Sequence, residues 1–433
     1  MKITYLIPGS GGTFYCGNCL RDKDFTASLK KTGNEIIIVP MYLPMGADDS
    51  PTDSPIFYGA VTIYLKQLSS FFKKMPDWLL RFLDSKSILR LAAKQSGSTN
   101  PDGLEDMTIS MLKGAEGNQA DELEKLVYWL KNHEKPDVVH ISNALISGLA
   151  EKIKKELGCV VVCSLQDEDE WIDEMKEPFA QNTWNLIESN SRFIDAFISV
   201  SDYYADVIRS KVNIPEHKIH VVHNSTEIWP DDKKSKVQDY QTIGYMSKIS
   251  SQFGADILFE AFIELKKEKQ FARLKLKYTG GYTDDYKKII KNIRQKSKKL
   301  NIANDILFHD DLTTAGKKQF LESITVYCVP SRRKEAFGMH MLEAIAAGVP
   351  VVMPNHGAYP EIIQKNNAGL LFEPKDTSQL VDTLRNILTN KALYNQIKMN
   401  GQLAIQSYFN NTKQTNEVLG IYQKYLGNNN REI

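Results

Sequence analysis

The chain has few cysteines, no long apolar segment and almost no net charge. Five cysteines, an odd number in 433 residues, do not form a disulfide framework and predict a reducing, cytoplasmic location. No apolar run reaches the roughly 18 residues that a membrane-spanning helix needs. The 54 basic and 53 acidic residues give a formal net charge of +1. This balance disfavours a general attraction to nucleic acid, and we expect no nucleic-acid partner.

The patterns that are present predict an α/β protein of two or three domains. Hydrophobic residues make up 42% of the chain, enough for sizeable cores. The first residues, Met1 to Ile7, form an apolar run typical of a buried strand, and a glycine-rich turn follows. A helix over 19–31 and a second strand over 33–39 complete a first β-α-β unit. Residues 44–131 break this rhythm and are predicted to be a helical insertion.

Two features of the N-terminal half have alternative interpretations. Residues 71–94 interleave basic and apolar side chains. They form either a helical pair packed on their own domain or a peripheral contact with the inner face of a membrane. Cys16 and Cys19 are spaced like a redox or zinc pair, but a zinc site needs further ligands. Cys159 and Cys163 flank an apolar run that predicts a buried strand, so we expect no metal site.

The richest pattern lies at residues 331–352 and reads as loop, helix and strand after a short strand at 324–329. Glu335 is predicted in the loop and Glu343 in the helix. A helix N-terminus offers free N–H groups and a partial positive charge, so the amides of Phe337, Gly338 and Met339 suit an anion. The absence of a Cβ at Gly338 allows close approach to its backbone. Ionised carboxylates only accept hydrogen bonds, and sugar hydroxyls donate them.

This stretch reads Glu335-Ala-Phe-Gly-x-x-x-Leu-Glu343-Ala-x-Ala-x-Gly348-x-Pro350-Val-Val, with Gly357 and Glu361 after it. It closely resembles the signature of family-four glycosyltransferases of the GT-B fold. The resemblance implies that Glu335 holds the hydroxyls of the donor sugar and that Glu343 binds the ribose of the nucleotide. It also implies that the amides of residues 337–339 face the diphosphate.

The resemblance implies two Rossmann-like domains that face a central cleft. The expected division is 1–228 for the N-terminal acceptor-side domain and 229–410 for the nucleotide-sugar-binding domain. A C-terminal helix over 411–433 would cross back to the first domain. The implied reaction transfers a sugar from a nucleoside-diphosphate sugar, with UDP-sugars favoured, to an acceptor hydroxyl with retention of configuration. No cofactor or metal is expected, and the acceptor is a glycan, a glucan or a lipid-linked molecule.

Further residues receive roles from the same resemblance. Lys248 stands where the family has a diphosphate-binding arginine, and Gly11 and Gly12 lie in a loop near the donor phosphates. His140 ends a strand expected to face ligand, so His140 joins Glu335 and Lys248 as a candidate catalytic residue. Arg332, close to Glu335, is a candidate donor-binding cation.

Two positions depart from the family pattern. Phe253 replaces a lysine of the diphosphate site, and Gln166 stands near a position where some relatives have histidine. One fixed cation at a developing negative charge is worth roughly 2 to 4 kcal/mol by analogy with single oxyanion donors. A nucleotide-sugar-binding protein with weakened catalysis, or a scaffold, is therefore the main alternative. A hexose epimerase of the same architecture is a more distant one.

Overall fold

The computed structural model describes residues 1–8, 17–41, 101, 103–228, 240–281 and 285–429. The sequence predictions for Gly11, Gly12, Cys16, residues 71–94 and most of the insertion lie outside these described residues. The chain divides into two compact units, Met1–His223 with Gln414–Ile433 and Asn224–Lys413. The sequence placed the corresponding boundaries after residues 228 and 410.

The first unit contains a parallel six-stranded sheet. Its strand order is β2-β1-β3-β4-β5-β6, so the order reverses direction between β1 and β3. The strands are β1 (Lys2–Ile7), β2 (Glu35–Pro40), β3 (Val138–Ile141), β4 (Val160–Leu165), β5 (Ala196–Ser199) and β6 (Ile219–Val221). All residues of β3, β4 and β5 are buried, as expected for strands covered on both faces.

Helices connect these strands, as parallel pairing requires. They are α1 (Gly17–Lys30), α2 (Glu105–Leu112), α3 (Ala120–Trp129), α4 (Ala150–Leu157), α5 (Glu168–Ile172), α6 (Phe179–Asn190) and α7 (Asp202–Lys211). A single π-helical turn, Leu130–Glu134, follows α3, and short 3₁₀ turns occupy Gly114–Glu116, Ala144–Leu149, Ser191–Phe193 and Glu216–Lys218. Ser201 caps α7, because its side chain accepts a hydrogen bond from the Tyr204 amide at 3.0 Å.

The second unit contains another parallel six-stranded sheet. Its strands are β7 (Thr242–Met246), β8 (Lys275–Thr279), β9 (Ile306–Phe308), β10 (Val326–Cys328), β11 (Val351–Pro354) and β12 (Gly369–Phe372). They lie in the order β12-β11-β10-β7-β8-β9. This is the order of a doubly wound Rossmann sheet, with its switch point between β7 and β10. The predicted α/β class with two Rossmann-like sheets is therefore confirmed.

The helices of the second unit are α8 (Ala255–Lys266), α9 (Tyr286–Lys299), α10 (Thr314–Glu322), α11 (Met339–Ala346), α12 (Tyr359–Asn366), α13 (Thr377–Thr389) and α14 (Lys391–Ser407). Short 3₁₀ turns occupy Lys269–Phe271 and Ala303–Asp305. In α9, whose lysines alternate with isoleucines, Ile289, Ile290 and Ile293 are buried. This burial shows that α9 is amphipathic. None of the helices in the described ranges has the length and apolar character needed to cross a membrane.

The C-terminal region contains two helices, and the second begins at the residue expected for the C-terminal helix. Helix α14 ends at Ser407, and α15 begins at Asn411 and runs to Asn429. Between them, Phe409 is buried against Phe337, with ring centroids 6.4 Å apart. The Asn410 side chain accepts a hydrogen bond from the Lys413 amide at 2.9 Å and so stabilises the start of α15. Further along α15, Val418 and Tyr422 enter the core of the first unit.

Candidate functional site

The switch point of the second sheet brings several predicted site residues to one edge. Strands β7 and β10 are adjacent but lead to opposite halves of the sheet, which opens a crevice beyond their carboxyl ends. The loop after β7 carries Lys248, and the loop after β10 carries Glu335. Helix α11 then begins at Met339 with Gly338 as its N-cap. Ligands bind at such crevices in open α/β sheets, so this edge is the candidate site.

The structure gives a second reason for a glycine at position 338. The first, predicted from the sequence, is that a ligand can approach a backbone without a Cβ closely. The φ of Gly338 is +91°, a conformation that residues with a Cβ rarely adopt. A Cβ added here would lie 2.6 Å from Cε1 of the Tyr359 ring. The glycine therefore allows Tyr359 to pack against the first turn of α11. Phe337 is 3% exposed, so it contributes its backbone rather than its side chain to any ligand.

The carboxylate of Glu335 is held by two aromatic side chains. The Tyr359 hydroxyl donates to Oε1 at 2.6 Å, and Nε2 of His340 lies 3.1 Å from Oε1 and 3.0 Å from Oε2. Burial raises the pKa of the Glu335 carboxyl, but His340 and the hydrogen bonds outweigh burial and lower this pKa overall. The Glu335 side chain is 15% exposed, so it remains accessible to a small ligand.

The backbone of Glu335 is fixed as well. The amide of Ala358 donates to the Glu335 carbonyl at 3.1 Å. Gly357 has a φ of +62°, and a Cβ there would lie 2.9 Å from the nitrogen and oxygen of Glu335. The loop before α12 thus packs directly on the loop that carries Glu335. This contact explains physically why Gly357 accompanies the glutamate in the sequence string.

Glu343 lies within α11 and pairs with Lys317 of α10 through Oε1. Its side chain is 15% exposed and that of Lys317 is 12% exposed. The second carboxylate oxygen, Oε2, is buried and has no hydrogen-bond partner among the described residues. A buried oxygen without a partner is costly, and a hydroxyl donor could satisfy it. The geometry therefore suits the predicted contact of Glu343 with a hydroxyl group.

Lys248 and Phe253 lie in the same loop after β7. Phe253 is 6% exposed, and the Lys248 ammonium lies 5.7 Å from the centroid of its ring, within the range of a cation–π contact. The Tyr245 hydroxyl donates to the carbonyls of Lys248 at 2.7 Å and of Phe253 at 3.3 Å. Phe253 therefore packs within the loop and supports Lys248, but it adds no charge.

Arg332 is bound within the second unit. Its guanidinium forms two hydrogen bonds with the Asp256 carboxylate, at 2.7 and 2.9 Å, and also donates to the Ser251 carbonyl. Its amide donates to the Gln252 carbonyl at 2.9 Å. Arg332 thus ties the loop after β7 to the loop after β10, and Asp256 compensates its charge. Its predicted role at the donor stays a prediction.

The structure corrects the assignment of His140. This side chain is 1% exposed, and its ring nitrogens lie within hydrogen-bond distance of Tyr422 Oη and Ser164 Oγ. Burial, with a smaller effect of Arg21, lowers the pKa of His140 well below its usual value. His140 is a neutral core residue beneath α15 rather than a catalytic residue. A histidine near the end of a buried strand has the same sequence pattern whether it is a core residue or a catalytic residue, so the sequence could not distinguish the two.

Gln166, at the other departure from the family pattern, is also buried. Its side-chain amide donates to the Ser142 carbonyl at 2.8 Å, and its backbone amide donates to Glu168 at 2.7 Å. Glu168 in turn accepts hydrogen bonds from the Ala144 amide and the Tyr204 hydroxyl. Glu168 therefore stabilises the turn after β4.

Three side chains at the site were missed by the sequence analysis: His340, Tyr359 and Lys317. None falls at a defined position of the string from Glu335 to Glu361 that resembles the family signature, the glutamate motif. Lys317 and Tyr359 lie on other helices and reach the glutamates only in the folded unit. His340, in contrast, is five residues after Glu335 and on the first turn of a predicted helix. That proximity was a signal that could have been used.

Two adjacent ranges of the chain match known protein families. Residues 113–228 match the family described as Glycosyltransferase Family 4, and residues 227–404 match Glycosyl transferases group 1. The chain belongs to the family-four glycosyltransferases. The second match contains the whole string from Glu335 to Glu361, together with Lys248 and Lys317.

Curated relatives of this family-four glycosyltransferase are distant. It is 23% identical over 243 residues to mannosylfructose-phosphate synthase of Agrobacterium fabrum, covering 54% of this chain and 53% of that protein. It is 32% identical over 107 residues to phosphatidyl-myo-inositol mannosyltransferase of Mycobacterium leprae, covering 25% of this chain and 29% of that protein. The matches thus span about half or less of the length of these relatives.

Solved structures with the same fold align along nearly the whole family-four chain. Anabaena HepE, crystallised with UDP, has a TM-score of 0.68 at 16% identity and covers 98% of this chain and 100% of its own. Sucrose-phosphate synthase of Thermosynechococcus elongatus has a TM-score of 0.69 at 15% identity, with 99% and 100% coverage. The predicted GT-B fold is confirmed by these matches.

Proposed function

We propose that this chain transfers a sugar from a nucleoside-diphosphate sugar, with UDP-sugars favoured, to an acceptor hydroxyl with retention of anomeric configuration. The observation that carries this proposal is the convergence of Lys248, Glu335 and the N-terminus of α11 at the switch point of the second sheet. These groups supply a cation, a carboxylate and backbone N–H donors at one edge. They are the groups that a nucleotide sugar requires.

In this proposal, catalysis is mainly electrostatic. The departing diphosphate gains negative charge, which Lys248 and the amides of residues 337–339 stabilise. Glu335 accepts hydrogen bonds from the hydroxyls of the sugar, and the carboxylate of Glu343, whose side chain is 15% exposed, accepts one from the ribose. Fixed donors and acceptors orient the reacting groups before the reaction. No metal or cofactor takes part.

The comparisons support a nucleotide-sugar donor. HepE has been crystallised with UDP and also with UDP-glucose, which favours UDP. A mannosyltransferase of Mycobacterium tuberculosis, 24% identical over 165 residues, is named as GDP-mannose-dependent. The proposed acceptors are a glycan, a glucan or a lipid-linked molecule. The names of two relatives contain mannosylfructose phosphate and phosphatidyl-myo-inositol.

A second candidate is a nucleotide-sugar-binding protein with little turnover. Phe253 favours it, because this buried aromatic ring occupies the place of a phosphate-binding lysine. Such a protein would bind the donor through Glu343 but would transfer sugar slowly. Binding and turnover must therefore be measured separately.

The first test is a thermal-shift panel of UDP, GDP, ADP and dTDP. A nucleotide at about 100 times its dissociation constant adds about 2.7 kcal/mol to the free energy of unfolding. We expect UDP to raise the melting temperature of the wild type. Glu343→Ala should remove this rise, since the ribose loses its carboxylate partner. Glu264→Ala, which changes an exposed glutamate of α8, is the matched control and should respond like the wild type.

Each result of this panel has a distinct meaning. If only GDP stabilises the protein, guanine replaces uracil as the favoured base and the proposed donor site is retained. A rise that persists in Glu343→Ala would contradict the assigned ribose contact. No rise with any nucleotide would contradict the proposed function. Binding followed by undetectable sugar transfer from the matching nucleotide sugar would favour the second candidate.

A further inference from the structure

His340 contacts Tyr327 on one side of its ring and Glu335 on the other. It is 7% exposed and lies on the first turn of α11. Its Nδ1 lies 2.7 Å from the Tyr327 hydroxyl, and its Nε2 lies 3.0 and 3.1 Å from the two oxygens of Glu335. The glutamate motif leaves position 340 open, so these contacts belong to this chain rather than to the motif.

The protons of this network can be counted. The Tyr327 hydroxyl also lies 2.7 Å from the Met246 carbonyl oxygen, which can only accept. The single hydroxyl proton of Tyr327 must therefore point at Met246, and Tyr327 accepts a hydrogen bond from Nδ1–H of His340. The tautomer of His340 is thereby restricted, because Nδ1 carries a proton.

A second proton is required on the other side of the ring. Nε2 of His340 faces a carboxylate that already accepts a hydrogen bond from the Tyr359 hydroxyl. The contact between Nε2 and Glu335 needs a proton of its own. Since Nδ1 is already protonated, the pair is either an imidazolium with a carboxylate or a neutral imidazole with a carboxylic acid. The hydrogen bond from Tyr359 and the positive charge of Arg333 both stabilise a carboxylate, so they favour the first arrangement.

Other titratable groups surround the pair and do not supply this proton. Tyr245 from β7 and Tyr359 from α12 are buried, and the negative charge of Glu335 contributes to raising the pKa of each. Both therefore stay protonated near neutral pH. Arg333 and His356 flank the loop, and the positive charge of Arg333 also favours the ionised form of Glu335.

The arrangement leaves part of the carboxylate available. Two carboxylate oxygens offer about four acceptor positions. Tyr359 uses one of them, and the Nε2–H of His340 is shared between both oxygens. With 15% of the Glu335 side chain exposed, the remaining positions can accept hydrogen bonds from a ligand hydroxyl. Tyr327 orients His340, and His340 orients Glu335.

We propose that His340 is a positioning residue, an imidazolium locked by Tyr327 that holds Glu335 as an ionised, correctly oriented acceptor for the hydroxyls of the donor sugar. This inference rests on the proposed function, because it assigns the sugar to Glu335. It adds a specific role for a side chain outside the motif. Removing His340 should weaken recognition of the sugar without changing recognition of the nucleotide.

The protonation state is tested first, in the full chain without any donor. Nitrogen NMR of labelled histidine at about pH 7.5, one unit above the ordinary histidine value, separates charged from neutral rings. The His340 signals are assigned by their loss in His340→Gln. We expect both ring nitrogens to carry protons in the wild type and the charge to be lost in Glu335→Gln. A neutral His340 with one bare nitrogen in the wild type would overturn the imidazolium.

Calorimetric titration with UDP and with UDP-glucose tests the positioning. His340→Asn keeps a donor near Nδ1 but loses the contact with Glu335, and we expect about 10- to 100-fold weaker binding of UDP-glucose, by analogy with other orienting partners. The affinity for UDP should stay unchanged. His340→Gln keeps an N–H group near Nε2 and should recover most of the affinity. His133→Asn, at an exposed histidine of the first unit, is the control.

The outcomes separate this inference from the proposed function. If the wild type binds UDP-glucose and His340→Asn binds it equally well, the positioning role is overturned and the donor site remains. Equal weakening of UDP and UDP-glucose would indicate a general structural defect and would also overturn the positioning role. If the wild type binds neither UDP nor UDP-glucose, the UDP-sugar assignment fails together with the role of His340, whatever the NMR result.

Discussion

At the scale of single residues, the candidate site depends on close packing around α11. Gly338 combines a positive φ with contact to Tyr359, and Tyr359 in turn donates to Glu335. A side chain at 338 would therefore have two costs, backbone strain and displacement of the tyrosine. Gly348, just after the same helix, has a φ of +73° but faces only the flexible side chains of Lys398 and Gln402.

This pair of glycines allows a matched test. Both Gly338→Ala and Gly348→Ala place a side chain in a left-handed conformation, which costs of order 1 to 3 kcal/mol. We expect Gly338→Ala to lose about 1 to 3 kcal/mol more in the free energy of unfolding, because the Tyr359 ring has to move. Urea denaturation measures both. Equal losses would show that the contact with Tyr359 is easily relieved.

At the scale of elements, α15 is part of the first unit although it follows the second in sequence. Its residues Val418 and Tyr422 lie in one hydrophobic cluster with Ile3, Tyr5 and Val162. Tyr422 is fully buried and contacts His140, whose ring is edge-on to it with centroids 5.8 Å apart. The helix therefore stabilises the sheet of the first unit through apolar burial and one polar contact.

Substitutions along α15 should separate these contributions. We expect Tyr422→Ala to cost about 3 to 5 kcal/mol of unfolding free energy, as for other buried aromatic residues. Tyr422→Phe keeps the ring and should cost about 1 kcal/mol for the lost hydrogen bond with His140. Gln423→Ala changes an exposed neighbour and should stay within about 0.5 kcal/mol of the wild type. A small effect of Tyr422→Ala in chemical denaturation would mean that α15 contributes little to the first unit.

At the scale of the whole molecule, the predicted donor residues within the described ranges are concentrated in the second unit. Lys248, Glu335, Glu343 and the start of α11 all lie between Asn224 and Lys413. His140, the candidate from the first unit, is a core residue. Recognition of the nucleotide should therefore be a property of the second unit.

Hydrogen exchange tests this distribution. We expect UDP at about 100 times its dissociation constant to slow exchange of the amides at 337–340, since binding suppresses local opening. The amides of β3 and β4, in the core of the first unit, should exchange at the same rate with and without UDP. Glu343→Ala serves as the control that removes the effect. Protection confined to the first unit would contradict the placement of the nucleotide.

The sequence by itself determined most of the elements and the family. Strand and helix patterns depend on local periodicity, and they predicted the first strand, observed over Lys2–Ile7, and the short strand at 324–329, observed over Val326–Cys328. The glutamate motif depends on spacing within one continuous segment, so it could be read directly.

Only the tertiary structure decided which polar side chains face a ligand and which are enclosed. His140 and His340 both carry an imidazole near the end of a predicted element, but one ring packs against Tyr422 and the other contacts Glu335. Lys317 and Tyr359 reach the two glutamates from separate helices. Such contacts join residues distant in sequence, and burial and hydrogen bonding between them exist only after the chain has folded.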